Sequence, residues 1–193
     1  MLATLVELQR LKNIDRTGWV LRGLPPRTES VAAHSFGVAI AAMMLADELR
    51  RRDVAVDSDR LLRMALLHDW AEARIGDMPK TAVEYFGAEA RKHAELKAFA
   101  DLTRDLADHG TSYRATYEEY EQRVSLEARL VKAADIIDLL VQVLALERAG
   151  CRGLDEFWEV TSDADFKLDS TANEVVAAVF AELVAARAKL INP

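Results

Sequence analysis

Residues 125–150, SLEARLVKAADIIDLLVQVLALERAG, carry apolar side chains at helical spacing without a break until Gly150. Strands seldom exceed about ten residues, so this segment is a helix. Its apolar surface needs other helices to cover it. The chain supplies them: few of its stretches alternate apolar with polar, and only 8 Gly and 4 Pro interrupt its 193 residues. A β-rich fold is therefore excluded in favour of an all-α, bundle-like one.

The periodicity predicts the other elements. Thr4 and Glu7 have capping-box spacing and open a short first helix that ends near Asn13. DRTGWVLRGLPPRTES, residues 15–30, reads as a loop because of Gly18, Gly23, Pro25 and Pro26. Loops this long are often functional. Helices are expected from Ser30 to Arg52 and, capped by Asp57 or Ser58, on to Arg74. A further helix should begin near Pro79, and a long one should run from Ala88 to His109, stopped by Gly110. Beyond Gly150 come a short segment around Phe157 and a last helix from Thr171 to Leu190. We expect a single domain over 1–193, with a functional core at 25–150 and packing helices at 151–193.

Polar residues sit where apolar ones belong. On a helical wheel, Arg60, Arg63, Trp70 and Arg74 share one side of the third predicted helix. His68, Asp69 and Glu72 fall on the other, with Leu61, Leu62, Ala65 and Leu66. His34 interrupts the stripe Val31, Val38, Ala41, Leu45, beside the small Ala33 and Gly37. In the 125–150 helix either Asp135 or Asp138 faces inward. A bare buried charge costs several kcal/mol. Two histidines and two aspartates on three inward stripes point to a divalent cation, which turns each buried carboxylate from a burden into a ligand.

Bulk charge narrows the partners. A net charge of −7 disfavours binding to long nucleic acids, while a local cationic pocket for one phosphate remains compatible with it. The single cysteine, Cys151, permits no internal disulfide. The longest apolar run, Val38–Ala46, is far shorter than the ~20 residues that span a bilayer. The N-terminal MLATLVELQR lacks a basic leader. A cytoplasmic protein without membrane contact is the expectation.

The motifs ESVAAHS (29–35), LLHDWAEARIGDMP (66–79) and VKAADIIDLL (131–140) resemble the HD-domain metal-dependent phosphohydrolases, and more narrowly their 5′-deoxynucleotidase branch. The similarity covers about residues 1–150. The resemblance implies an all-α fold, often a homodimer, with one divalent metal held by His34, His68, Asp69 and Asp135. It favours Asp135, three residues after Lys132, over Asp138. It makes Glu72 the carboxylate that positions or deprotonates the attacking water, and Asp77 an acid near the scissile group and sugar. Trp19 matches an aromatic that helps exclude a 2′-hydroxyl. One departure stands out: the nucleotidases carry an arginine directly before that tryptophan, whereas here the neighbour is Gly18, with Arg16 and Arg22 close by. Deoxynucleotide preference is therefore left open.

The implied reaction is removal of the 5′-phosphate of a nucleoside monophosphate by a metal-activated water. Glu72, four residues after His68, lies on the same helical face, and Arg22 and Arg27 in the long loop are candidate phosphate contacts. Asp77 also stands where a helix N-cap would precede Pro79. His93, His109 and the Tyr113, Tyr117, Tyr120 series read as surface and packing residues. The ligand types accept Mn, Co, Fe, Ni or Zn. Alternatives are another phosphoester on the same scaffold (a nucleoside triphosphate, cyclic nucleotide or alarmone), a non-catalytic metal-containing binding protein, and a metal-free interaction domain.

Overall fold

The computed structural model describes residues 1–191. The order is α1 (Leu2–Leu8), a 3-10 stretch (Gln9–Lys12), α2 (Thr17–Val20), α3 (Val31–Arg51), α4 (Ser58–Leu67), α5 (Glu72–Ile75) and α6 (Lys80–Phe86). Then follow α7 (Ala88–Leu102), a second 3-10 stretch (Arg104–Leu106), α8 (Ala107–Gln122), α9 (Leu126–Arg148), α10 (Asp155–Trp158), α11 (Val160–Asp163) and α12 (Ser170–Ile191). Among the described residues there is no strand. One antiparallel bridge, Asp15 to Ser30, closes the base of the long loop.

Three helix starts follow from local chemistry. Ser30 accepts from Ala33 N at 3.1 Å, Asp57 from Arg60 N at 3.0 Å, and Ser125 from Ala128 N at 3.1 Å. Each such cap is worth about 1 kcal/mol. The central pair is α3 and α9, with α4 against both and α12 along their other side. Val38, Leu45 and Leu49 of α3, Leu61 and Met64 of α4, Leu130 and Leu140 of α9 and Val176 of α12 belong to one apolar core. Complete burial of each such side chain contributes roughly 1.5–3 kcal/mol. By length and mean hydropathy (1.3), α3 resembles a bilayer-crossing helix. One side of that apolar surface packs in this core, while Phe36, Ile40, Met43 and Met44 lie exposed on the other.

Several boundaries differ from the periodicity. The helix expected to continue to Arg74 stops at Leu67. His68 Nδ1 lies 2.7 Å from the Ala65 carbonyl oxygen, which an unbroken helix would offer to a backbone N–H. The chain tightens there into shorter-range bonds, Trp70 N to Leu67 O and Glu72 N to Asp69 O, both 3.1 Å. Leu66, assigned inward by the wheel, is exposed, whereas Met64 is fully buried. Trp70, assigned outward, is half-buried and stacks on Phe99 at 6.0 Å.

Thr4 does not form the expected box. It lies inside α1 and donates to the Leu102 carbonyl at 3.2 Å, tying the N-terminus to the end of α7. The long 88–109 helix is broken after Leu102, where Thr103 Oγ1 turns back to donate to Phe99 O at 2.8 Å. Gly110 stops nothing. It sits inside α8, where a Cβ would come within 2.3 Å of the Thr103 carbonyl oxygen. The need there is for close approach, not for helix termination.

Candidate active site

The inward polar residues converge. His34 from α3 and Asp135 from α9 approach with Nε2 and Oδ1 3.2 Å apart. His68 and Asp69 enter from the tight turn after α4, with His68 Nε2 3.2 Å from Asp69 Oδ2. That same Asp69 oxygen lies 3.7 Å from His34 Nε2. One ligand atom each from His34, His68 and Asp135 fits within a span of 4.8 Å.

Both imidazoles are held from behind. His34 Nδ1 is 2.8 Å from Asp138 Oδ2, and His68 Nδ1 is 2.7 Å from the Ala65 carbonyl oxygen. These acceptors place the ring proton on Nδ1 and leave Nε2 as the donor atom for a ligand. Both Nε2 atoms are buried without a hydrogen-bond partner. Leaving a buried polar atom unsatisfied costs about 1–3 kcal/mol. A divalent cation fits this set of two imidazole nitrogens and adjacent carboxylate oxygens, and would satisfy both orphaned nitrogens.

The electrostatics fit as well. Burial raises the Asp69 and Asp135 carboxyls, but His68 and Arg16 around Asp69, and Lys132 and His34 around Asp135, outweigh it and hold both well below the usual range. Lys132 Nζ is 2.6 Å from Asp135 Oδ2. Burial and Arg16 lower the His34 pKa, yet Asp135 and Asp138 overcome them and raise it to about 9. Without a cation the acids thus favour a second proton, on Nε2 beside Asp135, the position a cation would take.

Glu72 opens α5 and is 5% exposed. Burial, reinforced by Asp69 and Asp77, pushes its carboxyl well above the ordinary value. Its Oε2 has no partner. Arg16 Nη1 reaches Asp69 Oδ2 at 3.4 Å and Asp77 Oδ1 at 3.5 Å. The resemblance leaves Arg16 and Arg22 as alternatives for the missing arginine, and Arg16 is the one seated among the acids. Asp77 Oδ2 accepts from Thr17 N at 2.6 Å, and its carbonyl accepts from Thr17 Oγ1 at 2.7 Å. It therefore caps α2 across the cleft, while the N-cap of α6 is Pro79.

A cleft of about 750 Å³ opens over this cluster. Trp19, 1% exposed, forms part of its wall; Nε1 donates to Glu29 Oε2 at 2.7 Å and the ring lies 4.8 Å from that of Phe157. Arg22 lines the cleft, bonds Glu156 Oε1 at 2.6 Å and covers the Phe157 ring at 4.6 Å. Arg27 is exposed and does not line the cleft; its backbone N–H meets the Asp15 carboxylate at 3.1 Å. The 151–164 segment, expected only to pack, adds Glu156, Phe157 and Val160 to the cleft wall. His93 and His109 are exposed, and Tyr117 stacks on Phe99 at 4.1 Å.

The HD domain model matches residues 8–174. The chain belongs to the HD domain family. Within it, the chain is 32% identical to the 5'-deoxynucleotidase HDDC2 of Xenopus laevis, over 79% of this chain and 73% of that one. A conserved hypothetical protein from Pyrococcus furiosus superposes with a TM-score of 0.82 at 34% identity, covering 96% of this chain and 99% of that one. A "predicted metal-dependent phosphohydrolase" from Magnetospirillum magnetotacticum gives 0.66 at 26% identity, over 96% and 91%. The all-α architecture expected from periodicity is that of the HD domain.

Proposed function

We propose that this HD domain hydrolyses the 5′-phosphate of nucleoside monophosphates, deoxynucleotides among them, with one divalent cation held by His34, His68, Asp69 and Asp135. The observation that carries the reading is the convergence of two partnerless imidazole nitrogens on Asp135, with the partnerless Oε2 of Glu72 in the same cleft. When bound, the cation supplies Lewis-acid charge for the phosphate and acidifies water.

The chain's own residues do the rest. Glu72 Oε2 takes the proton of the attacking water. The water oxygen bonds to phosphorus in line, and the bond from phosphorus to the sugar 5′-oxygen breaks. Arg16 and Lys132 bring positive charge to the cleft for the phosphoryl oxygens. Both carboxylate oxygens of Asp77 are engaged, by Thr17 N and Arg16, so a water protonates the leaving alkoxide. Asp77 holds Arg16 and the 15–30 loop against the site. Trp19, fixed by Glu29, stands as a rigid wall beside the sugar.

Phosphate release from ribo and deoxy 5′-mononucleotides, measured with Mn, Co, Fe, Ni and Zn in turn, tests the reading. Turnover of mononucleotides is expected. Release only from nucleoside triphosphates, cyclic nucleotides or alarmones would transfer the function to that class, and no release from any of them would leave a binding protein.

Homodimerisation is proposed on the outer face of α3. Phe36 (66% exposed), Ile40, Met43 and Met44 (65%) form an apolar stripe on the side away from the core. A second copy applying the same stripe makes a two-fold helix pair. Light scattering after gel filtration should give twice the chain mass, and Phe36→Asp should halve it. A monomeric wild type, or a variant that stays dimeric, rules out this face.

A further inference from the structure

We infer that Asp138 is a positioning residue for the metal centre: it fixes the ring of His34 so that Nε2 faces Asp135 and His68, and Gly37 is glycine to admit it. This rests on the metal reading above.

The geometry is specific. Asp135 and Asp138 are three residues apart on α9 and share its inward face. They meet opposite nitrogens of one imidazole: Asp135 Oδ1 stands 3.2 Å from Nε2, Asp138 Oδ2 2.8 Å from Nδ1. An acceptor at Nδ1 selects the tautomer whose Nε2 lone pair is free, and raises the basicity of that nitrogen. The ring otherwise has two ways to turn, and only one directs Nε2 into the cluster. Glu29 also has an oxygen within 4.8 Å of both groups. It is committed elsewhere, since Trp19 Nε1 donates to it at 2.7 Å.

Gly37 supplies independent support. It lies on α3 one turn after His34, facing α9. A Cβ built on it would stand 1.9 Å from Asp138 Oδ1 and 2.6 Å from its Cγ. Real contacts of that length do not occur, so any side chain at 37 displaces the carboxylate from Nδ1. Gly37 is within a helix, where glycine costs about 1 kcal/mol against alanine. Helix propensity therefore argues against glycine here, and the carboxylate explains it.

The test is Mn²⁺ affinity of the purified chain, measured by chelator competition, with melting of the metal-free proteins followed by circular dichroism. Asp138→Leu should weaken Mn²⁺ binding by about 10–100-fold. Asp138→Asn, whose amide oxygen still accepts from Nδ1–H, should recover part of that loss. A residue that merely filled space would show no such order between Leu and Asn. Gly37→Ala keeps the carboxylate but moves it, and should also weaken Mn²⁺ binding. Combined with Asp138→Leu it should add little, because both remove the same contact. Metal-free variants that melt within a few degrees of wild type, together with this order of affinities, support the inference. Mn²⁺ affinities of Asp138→Leu and Gly37→Ala within about twofold of wild type overturn it, as does a wild type that takes up no Mn²⁺. A wild type that binds Mn²⁺ but hydrolyses no nucleotide sinks the nucleotidase reading alone, since the affinity order still decides the role of Asp138.

Discussion

Glu72→Ala should lower turnover of a 5′-mononucleotide by about 10²–10⁴-fold, the range for loss of a positioned general base. Metal content by elemental analysis should stay at the wild-type level. The two readouts separate because Glu72 is not one of the four residues proposed to hold the cation. Its free oxygen is buried, and burial raises its carboxyl above the ordinary value, which favours uptake of a proton. The loss should fall on kcat more than on KM, because a proton transfer is made in the transition state only. Turnover that survives the substitution would remove Glu72 from the chemistry and leave it a buried acid without an assigned task.

His68→Ala should abolish stoichiometric metal binding and, with it, detectable hydrolysis. The imidazole comes from a turn that exists to present it: its Nδ1 is committed to the Ala65 carbonyl, and its Nε2 has no other partner. Stability offers a second measurement. A cation present at 100 times its Kd stabilises the native state by about 2.7 kcal/mol. For a chain of this size that corresponds to a rise in Tm of roughly 5–11 °C. Wild type should show that rise on adding metal and lose it with chelator, while His68→Ala should melt at the same temperature with and without metal. An equal metal-induced rise in the variant would mean that the cation sits elsewhere.

The inward polar residues were legible because burial makes polar residues conspicuous. His34 breaks an apolar stripe, and so do His68 and Asp69; a periodicity of 3.6 residues suffices to see it. The competition between Asp135 and Asp138 was not decidable that way, as both lie on one face of α9, and the structure uses both, on opposite sides of the same ring. Gly37 held a usable signal: a helix-weakening residue one turn from a buried histidine marks close approach by another element. Arg16 was marked only by the resemblance, as an alternative to Arg22, since an arginine in a polar loop looks the same whether it lies in solvent or among carboxylates. Arg22 and Arg27 show the converse. Their shared loop suggested one role, yet one lines the cleft and the other is exposed on the surface.

The chain alone determined its all-α class, the starts of α3, α4 and α9, and the inward stripe of α3. These are properties of neighbours within a few residues, where backbone geometry is the same in every helix. Only the tertiary structure decided where α4 ends, which nitrogen of each histidine is free, and how Arg16 sits between Asp69 and Asp77. His34 and Asp138 are 104 residues apart in the chain. A contact of 2.8 Å over that separation depends on how closely α3 and α9 pack, and no local pattern carries that distance.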